Sequence, residues 1–368
     1  MTTTPVSMRL AALREQLALK EVDALLVAGP ENRRYLSGFT ALDPDAGVLF
    51  LTPQTAAVLT DFRYQLWAAQ EAPDYTVVVY KEGPGQTLAE LLRHQQVRRL
   101  GFEAAYLTFR QYQRLTGAVS EAGLKVDWQP LEGLAEGLRE VKAAAELTAL
   151  RRALELSEAV LHDVARRLVP GLTERQVAWE IEKRLREAGA QGLAFPPIVA
   201  AGPNSAMPHH QHGDYHLKEG EPILIDMGAR LDGYCADITR TFVLGPADEQ
   251  FRKIYRLVRQ AQQQAEKGLK ASMDSLAADA LAREVIAAAG YGEAFGHSLG
   301  HGVGLAVHEA PSLSPFKERC TLLKAGSVVT VEPGIYLTGW GGVRLENMTL
   351  LKEDGNEVLN RWVEFYEW

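Results

Sequence analysis

The hydrophobic pattern divides the chain into two stretches of different character. Up to about residue 130, short apolar runs alternate with segments of helical period. Strands are expected at 24–28, 46–51, 56–60, 75–80, 98–101 and 125–128, and helices at 5–20, 62–71, 87–94 and 108–118. That alternation predicts an α/β layer domain. From residue 140 the elements lengthen. Residues 140–169 read as one helix, broken by Pro170-Gly171, and Thr173 and Gln176 form a capping box for a second helix ending at Gly189. A strand at 198–201, a polar loop at 202–213 and a hairpin follow. Two more helices, from 246 to about 270 and from 274 to 290, precede a glycine-containing β-rich stretch, 295–368. Two helix pairs, each followed by hairpins, suggest a duplicated unit. Domains are expected at 1–135 and 136–368.

The chemistry gathers in the second stretch. Residues 223–225 and 238–242 read as paired strands joined through Arg230-Leu231-Asp232-Gly233. A turn at Leu231-Asp232 places Asp226 directly opposite Asp237. A turn at Asp232-Gly233 makes them diagonal neighbours on one face. Directly opposed residues have Cβ atoms roughly 5 Å apart. Two carboxylates inside apolar strands repel each other and need a compensating charge, most simply a divalent metal. The run 328–332 and the segment 341–346 repeat the arrangement, because Glu332 and Glu346 are symmetric about Gly339.

Histidines add a second line. Of nine, seven fall between 209 and 308. His94 and His162 are expected on solvated helix surfaces. His297, His301 and His308 lie among glycines that permit close backbone approach. Of His209, His210, His212 and His216, one is expected to reach the site and the others to line a solvated loop. Four carboxylates and one imidazole, with no sulfur, suit manganese, iron or cobalt better than structural zinc. Their charge balances two divalent cations, which points to a two-metal hydrolytic site.

Composition excludes alternatives more than it selects. The chain has 368 residues, 46% hydrophobic, with net charge −8. That argues against nucleic acid or an anionic membrane as the main partner. Cys235 and Cys320 form neither a disulfide framework nor a zinc motif, and Cys235 is expected in the core. No signal peptide is read at the start, and no run of about 18 apolar residues could span a bilayer. The expected compartment is the cytoplasm. The first domain carries no phosphate-binding glycine loop, which leaves it a scaffolding or access-limiting role.

Asp226 in IDMGA, Asp237 in ADITRTF, His301 in GHGVGL, Glu332 in VEPGIY and Glu346 in VRLEN resemble, without departure, the five-ligand set of the pita-bread metallopeptidases. The N-terminal stretch, with Leu25-Leu26-Val27 and Asn32 to Gly38, resembles a creatinase-type N-domain. That points to the proline-specific branch rather than to methionine aminopeptidases. The fold implied is an α/β N-terminal domain plus an α+β pita-bread catalytic domain.

The resemblance implies that Asp226 binds one metal, Asp237 and Glu346 bridge two, and His301 and Glu332 complete the second. Manganese is the expected ion, with cobalt or zinc as alternatives. A hydroxide shared by the metals would attack the carbonyl before proline. Glu332 would shuttle the proton. His209 and His308 would hold the substrate or stabilise the tetrahedral intermediate, and His297 and Arg344 would orient substrate or ligands. The implied activity is a prolidase acting on Xaa-Pro dipeptides, or an Xaa-Pro aminopeptidase acting on longer peptides, as a homodimer. Creatinase-type hydrolysis without metal and a non-catalytic peptide-binding module are disfavoured by the intact ligand set.

Overall fold

The computed structural model describes residues 4–362, 365 and 366. It divides into two compact units, Met1–Arg139 and Glu140–Trp368.

The first unit is built on a six-stranded mixed sheet. Its order is Thr76–Val79, Ala56–Thr60, Val48–Leu51, Ala24–Val27, Arg99–Glu103, Asp127–Leu131. Val48–Leu51 runs antiparallel to both neighbours, and the other pairings are parallel. The helices Pro84–His94 and Phe109–Glu121 bury Leu88, Leu92, Leu115 and Val119 against it. The pattern missed the helix Pro30–Ser37. Its sequence is mostly polar, yet Arg33 is fully buried because its guanidinium donates to the carbonyls of Gly47, Ala41 and Asp43. A hydrophobicity pattern cannot register a buried cation whose Nη atoms donate to backbone carbonyls outside its own helix.

In the second unit the helices Ala144–Ala165 and Glu174–Glu187 pack on strands Ile198–Ala201, Pro222–Met227 and Ile238–Val243. The helices Glu249–Gly268 and Ser275–Ala288 pack on strands Val328–Val331, Gly334–Leu337 and Gly341–Arg344. Each helix pair is thus followed by a hairpin that carries two acids.

The helix expected over 140–169 is interrupted. Leu134–Glu140 ends one helix and Ala144–Ala165 forms another. Between them Val141 bridges Ser327, and Lys142 N donates to Gly326 O. The backbone there is engaged in strand-type pairing, and the Lys142 ammonium lies 3.2 Å from the Glu309 carboxylate, both buried. Helical propensity yields at these residues to a tertiary ion pair and a bridge.

Candidate metal centre

The first hairpin turns at Asp232-Gly233, both with positive φ (50° and 81°). This is the backbone of a two-residue hairpin turn that matches strand twist. The ladder continues through Arg230 opposite Cys235 and, further down, Asp226 opposite Thr239. Asp226 and Asp237 are therefore diagonal neighbours, as the second of the two registers requires. At the step between the ladder segments, a Cβ on Gly228 would lie 1.8 Å from the Ala236 carbonyl oxygen. Only glycine lets the strands close beside Asp237.

The second hairpin holds one register throughout. Gly334 faces Arg344 and Val331 faces Asn347, so Glu332 and Glu346 are directly opposed about Gly339, whose φ is 84°. His301 comes from the short strand Gly300–Gly302, which pairs with Val328–Val331 at Gly302. A Cβ on Gly300 would lie 2.0 Å from the Thr330 carbonyl oxygen. Thr330 Oγ1 accepts from His301 N and donates to Glu332. Gly300→Ala is expected to force apart the strands that carry His301 and Glu332, costing about 3 kcal/mol by overpacking. Urea unfolding of the full chain, compared with wild type, checks it.

All nine residues named as ligands or substrate contacts line one cavity of about 820 Å³. His301 Nε2 lies 3.6 Å from Asp237 Oδ2 and 3.3 Å from Glu332 Oε1. One donor atom each from Asp237, His301 and Glu346 falls within 4.8 Å of the other two. Asp226 sits against Arg344, whose Nη2 donates at 2.5 Å, and Arg344 Nε is 4.0 Å from Glu332.

The electrostatics are those of an anionic cluster short of cations. Burial, together with the charges of Glu346, Asp226 and Glu332, pushes the Asp237 carboxyl well above the usual range. Burial and the charges of Glu332 and Asp226 do the same to Glu346. Burial raises Asp226 as well, against the opposing pull of Arg344. Burial works against ionisation of Glu332 too, but His301, with help from His297 and Arg344, holds it down at about 2. Two buried oxygens, Asp226 Oδ1 and Glu346 Oε1, have no hydrogen-bond partner among the described residues. Unsatisfied carboxylate oxygens on residues lining one cavity, in an all-oxygen-and-imidazole donor set, fit divalent metal.

The 202–213 loop is partly solvated, with Pro203, Met207, His209 and Gln211 exposed, but more than one of its histidines reaches the site. His209, His210 and His212 all line the cavity. His212 Nδ1 donates to the Pro197 carbonyl at 3.1 Å, and His210 Nε2 donates to the buried Glu174 at 2.8 Å. His308 lies with its ring centroid 4.2 Å from that of His301. Burial and the charges of His301 and His209 lower its pKa, against the pull of Glu332. His94 and His162 are exposed and Cys235 is buried, as expected.

Two contributors escaped the sequence reading. Tyr336 lies within ten residues of Glu332, Arg344 and Glu346, but proximity along the chain does not by itself mark a contributor. Its hydroxyl is 2.9 Å from His297 Nε2 and accepts from Arg344 Nη1 at 3.0 Å. His297 Nδ1 donates to Ser298 O, so both of its ring nitrogens are engaged within the chain. Thr239 Oγ1 donates to Glu346 at 2.7 Å and accepts from Arg344 Nε at 3.1 Å. Its position opposite Asp226 was the available signal, once the register was known.

Comparison with known proteins identifies the family of the chain. Residues 148–353 match metallopeptidase family M24, and residues 9–141 match the creatinase/prolidase N-terminal domain. A Xaa-Pro dipeptidase of Pyrococcus furiosus is 33% identical over 354 residues, covering 96% of this chain and 97% of that protein. Among solved structures, a Xaa-Pro dipeptidase from Bacillus anthracis superposes with a TM-score of 0.91 at 36% identity, covering 97% of this chain and 98% of that one. An X-Pro aminopeptidase from Thermotoga maritima gives 0.83 at 34%, covering 94% and 97%. With its acidic cluster on paired hairpins and a creatinase/prolidase N-terminal domain ahead of it, the chain belongs to metallopeptidase family M24.

Proposed function

We propose that the protein hydrolyses the peptide bond before proline, with Xaa-Pro dipeptides as its preferred substrates. The observation that carries this reading is the cluster of four carboxylates, three buried and Glu332 partly so, and His301, set in one cavity with His209 and His308. Relatives named as Xaa-Pro dipeptidases, similar over nearly the whole chain, support the substrate class. Asp226, Asp237, His301, Glu332 and Glu346 would hold two divalent ions, manganese being the ion of choice. When bound, such ions supply a water of lowered pKa and a Lewis-acid contact to the scissile carbonyl.

The chain's own groups do the rest. Glu332, kept ionised by His301, is placed to accept a proton from the attacking water and return it to the leaving proline nitrogen. His308 is held towards its neutral form by burial and by His301. With His209, it offers ring N–H donors to the substrate carbonyl or to the oxyanion that develops from it. Arg344 fixes Asp226, and His297 fixes Tyr336 against Arg344, so these two orient the centre. The cavity would take the peptide, and the assembly would be a homodimer, checked by light scattering.

The similarity to the Thermotoga maritima X-Pro aminopeptidase favours a second reading, activity on longer peptides. Purified full-length protein, with and without Mn²⁺, should be tested on Ala-Pro and on Ala-Pro-Ala. Metal-dependent cleavage of Ala-Pro, faster than of the tripeptide, is the expected result. Cleavage of neither would end the proline-specific reading. A tripeptide rate equal to or above the dipeptide rate would make the enzyme an aminopeptidase.

A further inference from the structure

The loop that carries His209 is closed on a single buried carboxylate. Glu174 is the first residue of the helix Glu174–Glu187 and is fully buried. Its Oε1 accepts from Ala201 N at 2.8 Å and from Asn204 Nδ2 at 3.0 Å, where the loop leaves its strand. Its Oε2 accepts from His210 Nε2 at 2.8 Å and from Gly213 N at 3.0 Å, where the loop returns. Four donors thus converge on two oxygens. The backbone next to Glu174 completes the closure: Glu174 N donates to Tyr215 O, and Arg175 N donates to Gly213 O, each at 3.0 Å.

The loop is tied on its other side to the hairpin of the centre. Ser205 Oγ accepts from Gly342 N at 2.8 Å, and the Pro208 carbonyl accepts from Arg344 Nη1 at 3.3 Å. His209 therefore lies between Pro208, held by Arg344, and His210, held by Glu174. Its own ring lines the cavity. The two residues that flank it in sequence are anchored to different elements, so the direction of the His209 ring depends on both anchors.

We propose that Glu174 is a positioning residue for catalysis: it closes the 202–213 loop so that His209 is presented to the substrate. This rests on the peptidase reading above, in which His209 contacts substrate. An acid is required because all four partners are donors. A glutamine would turn one acceptor oxygen into a donor facing two donors and leave buried polar groups unpaired. Glu174 touches neither substrate nor any of the five proposed ligands, so its effect should pass through His209.

The test uses the full-length, manganese-loaded protein and Ala-Pro. Glu174→Gln is expected to lower kcat/KM about thirtyfold, within the range of outer-shell changes, while bound metal per chain stays at the wild-type value. His209→Ala should cost at least as much. The double variant should be no slower than His209→Ala alone, a non-additivity that a merely structural role would not produce. Amide hydrogen exchange over 202–213 should quicken about tenfold in Glu174→Gln, with the helix interior 177–185 unchanged. If Glu174→Gln fails to fold, His210→Phe removes one of the four donors, and its smaller loss should likewise vanish in the His209→Ala background.

Wild-type rates in the single variant, or losses that multiply in the double variant, would overturn the proposal. A wild-type protein inactive on every Xaa-Pro peptide would instead overturn the peptidase reading, and the exchange measurement would still report on the anchor.

Discussion

Replacing Asp237 by alanine is expected to lower kcat/KM on Ala-Pro by about a thousandfold, equivalent to about 4 kcal/mol of transition-state stabilisation. Asp237 is the acid nearest His301 in the candidate metal triad, and it is buried among three other carboxylates. Its charged form is unfavourable in the fold unless a cation answers it. The substitution should therefore have opposite effects on two observables. Metal per chain, measured by mass spectrometry after dialysis, should fall below the wild-type value. Stability of the metal-free protein towards urea should be unchanged or higher, because one uncompensated buried charge has gone. An alanine variant that keeps full metal-dependent turnover would remove Asp237 from the ligand set.

Arg344→Met should produce the reverse pattern. The guanidinium donates to Asp226, Tyr336, Thr239 and the Pro208 carbonyl, and is itself buried. Methionine roughly conserves the buried stem but leaves Asp226 without its cation. Breaking a buried pair by removing one partner costs about 4 kcal/mol. That cost should be largest in the metal-free protein, where only histidines otherwise bring positive charge to the four carboxylates, and smaller with manganese bound. Urea unfolding in chelator and in excess Mn²⁺ separates the two. Equal destabilisation in both conditions would mean that Arg344 acts by packing alone. Activity should fall as well, since the same residue holds Pro208 beside His209.

These two substitutions bear on how far the linear chain could be read. The acid pairs were legible because hairpin pairing is local: two strands, a turn and a two-residue alternation determine which side chains share a face. For Glu332 and Glu346 the symmetry about Gly339 held along both ladder segments. For Asp226 and Asp237 the pattern allowed two registers. The choice fell to the turn, where Asp232 and Gly233 both adopt positive φ. The helix pairs were legible for the same reason, through local periodicity and capping. The break at Val141-Lys142 was not, because it is made by Ser327 and Glu309 from the far end of the chain.

The amino-acid sequence alone determined which donors the fold gathers: four acids and an imidazole, the acids on strands whose pairing is short-range. Tertiary structure decided what surrounds that set. Tyr336 closes the contact between His297 and Arg344, Thr239 shares its hydroxyl between Glu346 and Arg344, and Glu174 gathers four donors from a loop up to 39 residues away. Each of these is a polar side chain with at least one partner distant in sequence. No local period marks such contacts, because a hydrogen bond in a folded core is set by where the backbone brings two groups together.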